Sequence, residues 1–93
     1  MNQNIYTILD IKANAFLQPF FFDNTALALR SLTELANDPQ HMFCKHASDY
    51  TLFLIGEFNP HTAELVIQTK ISIINFLELR TIPENISTLP PGA

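Results

Sequence analysis

The segment Asp49–Phe58 most constrains the fold, because it has the composition of a β-strand with apolar side chains on both faces. One face carries Thr51, Phe53 and Ile55, and the other carries Leu52, Leu54 and Phe58. A strand of this kind belongs at the centre of a sheet, or it presents its second face to another subunit. Any fold of this chain must therefore bury both sides of this segment.

Further strands are predicted on either side of it. Ile5–Ile11 and Ala63–Ile71 alternate in the manner of half-buried strands, and Asn59–Thr62 has the chemistry of a type I turn that closes a hairpin. Phe16–Phe22 is aromatic but contains Pro19, which lacks the N–H that a strand donates. This run is therefore predicted to be an edge strand or an extended connector.

One helix is predicted at about residues 24–37. Asp23, Asn24 and Thr25 are candidate N-caps, and Pro39 ends the helix because the residue before a proline is disfavoured in the α region. Its apolar positions recur every three or four residues, as in a stripe that faces a core: Ala28, Leu29, Leu32, Leu35 and Ala36.

The order of these elements predicts an α+β fold, an antiparallel sheet of three to five strands with this helix packed on one face. Residues 40–48 are expected to form a loop, and residues 71–80 fit either a strand or a short helix. We expect residues 1–82 to form one domain and residues 83–93, with Pro90-Pro91-Gly92, to be a flexible C-terminal tail.

Composition narrows the class of protein. Of 93 residues, 47% are hydrophobic and 15% are charged, and the net charge is −4. This balance excludes disorder for most of the chain and a histone-like mode of wrapping DNA. So few charges leave more apolar surface than one copy covers, which predicts a homodimer or a higher homo-oligomer. The residues expected at that interface are Phe20, Phe22, Phe53 and Ile55.

The sequence predicts a protein of the cytoplasm with no membrane association. The N-terminal residues lack a basic and apolar signal sequence, and no apolar run approaches the roughly 20 residues that cross a bilayer. The single cysteine, Cys44, gives no reason to expect an oxidising compartment.

We expect no enzyme, no metal and no cofactor. His41, Cys44 and His46 are close in sequence, but with His61 they lack the paired spacing of a structural zinc site. Lys45 and His46 could activate the Cys44 thiol, yet no glycine-rich oxyanion loop lies nearby. Glu57 and Glu64 fit a solvated strand end better than an acid–base pair.

Aromatic side chains suggest a different use, because bases of single-stranded DNA stack on exposed rings beside a modest basic groove. The alternative is that most of these rings lie in the core or in a dimer interface. If DNA binds directly, the residues predicted to contact it are Tyr6, Phe21, Arg30, Lys45, Tyr50 and Lys70. The acidic balance predicts weak binding that decreases as salt is added.

The middle of the chain resembles a known family, the small nonstructural proteins of gokushoviruses, which are microviruses with circular single-stranded DNA. The resemblance covers about residues 4–75, and the segments that carry it are Pro19-Phe20-Phe21, Asn37-Asp38-Pro39, Met42-Phe43, Lys45-His46, Ser48–Phe53 and Ile55–Phe58. The chain departs from the family at Ala47, where proline is common, at Ala63, where glycine is frequent, and at Cys44, where polar residues are usual.

The resemblance implies a phage accessory protein in the cytoplasm of the bacterial host, absent from the virion and without catalytic residues. It further implies a role in single-stranded DNA synthesis or genome packaging, with single-stranded DNA, the replication initiator or the procapsid as partners. The alternative is a homo-oligomeric interaction module that binds a viral or host protein and not DNA.

Overall fold

A computed structural model describes residues 2–81 of the chain. Five antiparallel strands form one sheet: β1 (Gln3–Asp10), β2 (Ala15–Phe16), β3 (Phe20–Phe22), β4 (Tyr50–Phe58) and β5 (Leu65–Asn75). Three helices accompany them: α1 (Thr25–Ala36), α2 (Met42–Lys45) and α3 (Phe76–Thr81). The α+β class with a helix packed against an antiparallel sheet is thereby confirmed, whereas the tail predicted for residues 83–93 lies outside the described residues.

The strand β4 lies inside the sheet, as its two apolar faces require. It pairs with β1 on one side and with β5 on the other, giving the order β2-β1-β4-β5, and β3 pairs with β1 beside β2. The segment 16–22 contains the last residue of β2 and all of β3, and residues 17–19 between them are not strand, because Pro19 interrupts the ladder.

Two stretches of the chain fold differently from the expectations. Residues 40–48, expected to be a loop, contain α2 and the start of a 3₁₀ turn at Ala47–Asp49. The sequence signal is weak because the helix is one turn long and is held by its cap: His41 Nδ1 accepts from the N–H of Phe43 at 3.0 Å. Residues 71–80 are not one element but two, the end of β5 followed by α3.

The core lies between the sheet and the helices. Ala28, Leu32 and Ala36 of α1 are buried against Tyr6 and Leu52, which confirms the helical stripe read from the spacing. Asn24 caps α1, since its Oδ1 accepts from the N–H of Leu27 at 2.9 Å. The short helices α2 and α3 complete the layer with buried Phe43, Phe76 and Leu79.

Next to Gly56, the pairing of β4 with both neighbouring strands is irregular. The register of β1 with β4 shifts so that Ile55 is an extra residue, and the register of β4 with β5 shifts at the same point. Phe58 therefore lies on the face that carries Ile55, and its prediction on the opposite face was wrong. A Cβ at Gly56 would collide with the carbonyl oxygen of Val66. Only glycine therefore allows β5 to approach β4 this closely.

Substitution of this glycine should test that approach. We expect Gly56→Ala to lower the free energy of unfolding by about 1–3 kcal/mol, because β5 must move away from β4. Urea denaturation followed by circular dichroism measures the change, with Ser72→Ala on the exposed surface of β5 as control. An unchanged midpoint for Gly56→Ala would mean that the strands do not pack this closely.

The hairpin between β4 and β5 contains one strained residue. Ala63 has a φ of 64°, in the left-handed region that costs a residue with a Cβ. Its N–H donates to the carbonyl oxygen of Asn59 at 2.7 Å, which holds the chain in this conformation.

We expect Ala63→Gly to stabilise the protein by about 0.5–1 kcal/mol, since relief of the strain exceeds the added flexibility of the unfolded chain. Ala26→Gly, an exposed position with helical geometry in α1, makes the same chemical change and should not stabilise. Thermal melts of both variants provide the comparison, and equal shifts in Tm would contradict the assignment of strain to Ala63.

Candidate binding surface

The face of the sheet opposite the helices is largely apolar and partly exposed. The strand register places the same side of β1, β3 and β4 there, because Ile5 lies opposite Phe21 on one side and Gly56 on the other, and Thr7 lies opposite Phe53. We call this surface the open face and define it by Ile5, Thr7, Phe16, Phe21, Phe53, Ile55, Phe58 and Lys70. Phe16 is 47% exposed and Phe21 is 45% exposed, so this surface presents aromatic rings to solvent.

The rings on the open face are arranged in two pairs. Phe16 contacts Phe53 edge to face with ring centroids 5.7 Å apart, and Phe21 contacts Phe58 in the same way at 5.4 Å. Each pair joins an exposed ring to a half-buried ring on β4. Each exposed ring is therefore held in position by its neighbour. Less side-chain entropy is lost when a base stacks on a ring that is already restrained in this way.

Between the β2 end of the open face and β5 lies a shallow cavity of about 300 Å³, lined by Thr7, Phe16, Leu17, Pro19, Ile55 and Lys70. The Thr7 hydroxyl donates to the carbonyl oxygen of Leu17 at 2.7 Å, which fixes the connector that forms one wall. Among the described strand residues that the register places on the open face, Lys70 alone is charged. An ammonium beside exposed rings can bind a phosphate while a base stacks on a ring.

Two tyrosines that were predicted to contact DNA are buried in the structure, so those predictions were wrong. Tyr6 is 0% exposed beneath α1, and its hydroxyl lies 2.8 Å from the Oγ1 of Thr25. Tyr50 is 4% exposed and packs edge to face on Phe43 at 4.9 Å. Neither ring has a free face for a base, because both point to the helix side of the sheet.

The predicted cations do not share one groove. Lys70 lies on the open face, whereas Arg30 is on the solvent side of α1 and Lys45 is at the end of α2, both in the helix layer. The sheet separates these positions from Lys70. Of the residues predicted to bind DNA, only Phe21 and Lys70 are brought to one surface.

The predicted interface residues also divide between the two sides. Phe20 and Phe22 pack on Tyr6, with centroid distances of 5.9 and 6.4 Å, so their apolar surface is largely used within the monomer. Phe53 and Ile55 lie on the open face, half-buried among its other side chains.

Sequence reasoning missed a second concave surface, between α1 and the β2–β3 segment. This groove has a volume of about 540 Å³, and its lining includes Leu17, Phe20, Ser31, Leu35 and Phe43. The spacing of Ser31 and Leu35 on one helix face was the available signal, but nothing in the sequence paired that face with Phe20.

The residues considered for metal or acid–base chemistry take part in local structure. His41 caps α2 through Nδ1, Glu57 accepts from the Nδ2 of Asn2 at 3.0 Å, and Glu64 accepts from the hydroxyl of Thr62 at 3.1 Å. Within residues 2–81, no three histidine, cysteine or carboxylate side chains are grouped so that they could hold a metal ion. No helix in that range is long and apolar enough to span a membrane.

Comparison with known protein families identifies a match over most of the chain. The model of a family described as "Phage ORF5 protein" matches residues 3–79, which include every strand and nearly all of the helix layer described above. No curated protein and no solved structure matches the chain.

The buried Tyr50 predicts a loss of stability at alkaline pH. Burial, and then the negative charges of Asp10 and Asp49, raise the pKa of Tyr50 above its ordinary value of 10.0. As the pH rises past about 10, the phenol ionises in the unfolded chain before it does so in the folded protein. The stabilisation is therefore complete below about pH 10 and decreases above it.

Urea midpoints measured between about pH 8 and 11.5 should fall less steeply for Tyr50→Phe than for the unchanged protein, because phenylalanine has no proton to lose. The groups common to both proteins cancel in this comparison. Parallel curves would show that Tyr50 ionises equally well in the folded and unfolded states.

Proposed function

Since the chain belongs to the Phage ORF5 protein family, we propose that it is a non-enzymatic phage accessory protein that acts in single-stranded DNA synthesis or genome packaging. Its place of action would be the cytoplasm of the bacterial host, outside the virion. The resemblance to small nonstructural proteins of gokushoviruses supports this role. Most of the segments that carry it lie in α2, β4 and the turn between them, and the others lie at β3 and just after α1.

The observation that carries the proposal is the open face, where Phe16 and Phe21 are about half exposed and Lys70 lies on the same surface. Stacking of a base on an aromatic ring contributes about 1–3 kcal/mol and needs no particular sequence. Phe16 and Lys70 line the same cavity, so one nucleotide could stack on the ring while its phosphate approaches the ammonium.

The distribution of charge determines how strongly this binding depends on salt. The protein carries a net charge of −4, and Arg30 and Lys45 lie in the helix layer, away from the open face. Of the cations predicted to contact DNA, Lys70 alone is therefore on this face, and a single phosphate contact there gives a shallow dependence on salt. Stacking supplies most of the affinity in this proposal.

A second candidate function uses the same surface. An apolar face with one cation also fits a protein partner, such as the replication initiator or the procapsid, and the acidic net charge favours such a partner over DNA. This interaction module would bind a viral or host protein and would not bind DNA.

Fluorescence anisotropy of a labelled single-stranded oligonucleotide distinguishes DNA binding from the function that involves only a protein partner. We expect saturable binding to the full chain that persists at near-physiological salt, and a loss of about tenfold in Phe21→Ala, which removes one stacking ring. Lys70→Glu should weaken binding by at least as much, whereas Lys45→Glu, with the same change in net charge, should have little effect.

Equal effects of Lys70→Glu and Lys45→Glu would contradict the open face as the DNA site, since only overall charge would then matter. Absence of binding at low salt would contradict direct DNA contact and favour the interaction module. Circular dichroism of each variant establishes that the fold is retained.

A further inference from the structure

The strand β5 is an exposed edge of the sheet. It is the longest strand, with eleven residues, and it pairs with β4 on one side only among the described elements. Within residues 2–81, no strand pairs with the backbone N–H and C=O groups that point away from β4, so this side of β5 can accept another strand. An edge of this length normally carries features that prevent such pairing.

The N-terminal part of β5 lacks those features. Leu65, Val66 and Ile67 are 57, 61 and 71% exposed, and Ile67 is the most exposed large apolar side chain of the described residues. Successive residues of a strand point to opposite faces, so both faces are uncovered here. This segment contains no charge and no proline, which are the usual protections of an edge.

Features that prevent pairing with another strand begin just after Ile67. Between Ile67 and Ile71 the pairing with β4 is irregular, because three residues of β5 lie opposite Ile55 alone. Lys70 lies in the same stretch. The irregularity and the charge limit regular edge pairing to the residues before them.

The charges that flank the segment select one kind of partner. Glu64 precedes it with an exposed carboxylate, and Lys70 follows it with an exposed ammonium. Two copies related by a two-fold axis must pair the same strand antiparallel. Antiparallel pairing places the end of the segment that carries Glu64 beside the end that carries Lys70 in the other copy, whereas a parallel arrangement would place like charges at the same level. The strand register puts Glu64 on the helix side and Lys70 on the open face, so this complementarity is between the ends of the segment and is not an ion pair.

We propose that two copies of this chain associate through the 65–67 segment of β5, paired antiparallel about a two-fold axis at Val66. In this register Leu65 of each copy lies opposite Ile67 of the other, and Val66 lies opposite its own counterpart. The proposal rests on the homodimer expected from the composition and assigns its interface to the β5 edge. It does not depend on DNA binding.

Pairing of this kind has a consequence for the open face. A two-fold axis perpendicular to the sheet joins the two sheets into one of ten strands with the same face on the same side. The two open faces become one surface with a Lys70 from each copy near its middle. The interface involves few side chains, so the dimer forms at micromolar concentration rather than below it.

Sedimentation velocity of the full chain over the micromolar range tests the interface. We expect a monomer–dimer equilibrium, and Ile67→Asp should weaken dimerisation by about tenfold or more, because it places two carboxylates beside the axis. Leu27→Asp, at an exposed apolar position on α1, makes the same chemical change away from β5 and should leave the equilibrium unaltered.

Charge exchange tests the antiparallel arrangement independently of apolar contact. Glu64→Lys and Lys70→Glu should each weaken the dimer about two- to threefold, since like charges then lie at the same level of the paired strands on opposite faces, and the double variant should restore it. Failure of the double variant to recover would overturn the antiparallel pairing. The single variants should regain affinity as salt is added, because salt screens the repulsion.

A monomer at every concentration would overturn the proposal, as would a dimer that Ile67→Asp leaves intact. The DNA-binding function fails separately: a dimer that binds no oligonucleotide retains the interface and loses the function. Phe21→Ala provides the converse control, since it should reduce DNA binding and leave the dimer unchanged.

Discussion

The strand β4 carries apolar side chains on both faces, and the rest of the structure follows from how each face is covered. The helix side buries Leu52 against α1 and α3, in a core that also takes in Tyr6 and Phe76. The other side has no helix among the described elements, and it is covered in part by paired rings and by the connector from β2 to β3. One layer of helices cannot cover both sides of a sheet, so the chain leaves an aromatic surface partly exposed.

The alternation of side chains between the two faces of β1 and β3 decides which aromatic rings can contact a ligand. Tyr6 and Phe22 point to the helix side and become part of the core, whereas Phe21, one residue before Phe22, points to the open face. The tyrosine hydroxyl tolerates burial because Thr25 and Asn4 bond to it. A ring's chemistry alone therefore does not tell whether it stacks on a base or packs in the interior.

The sequence predicted most of the fold because its strongest signals are local. The alternation in β1 and β4 and the stripe on α1 each arise from one element that faces one core. Short elements do not give such local signals. The helix α2 is a single turn held by the His41 cap, and α3 follows β5 without a turn residue between them. The candidate site was harder to predict, since separating Lys70 from Lys45 requires knowing which side of the sheet each occupies, and the shift beside Gly56 alters that side along β5.

The same irregularity links the edge of the sheet to its open face. If alternation were regular from Ile67 to Ile71, both of these side chains would lie on one face and Lys70 on the other. The shift lets Ile71 reach the helix side opposite Leu54 while Lys70 joins the cavity beside Ile55. Gly56 allows β4 and β5 to approach closely where this irregular stretch begins, because a Cβ there would collide with the carbonyl oxygen of Val66. The irregular pairing next to Gly56 thus places the cation on the open face and also ends the stretch of β5 that is suited to regular pairing with another strand.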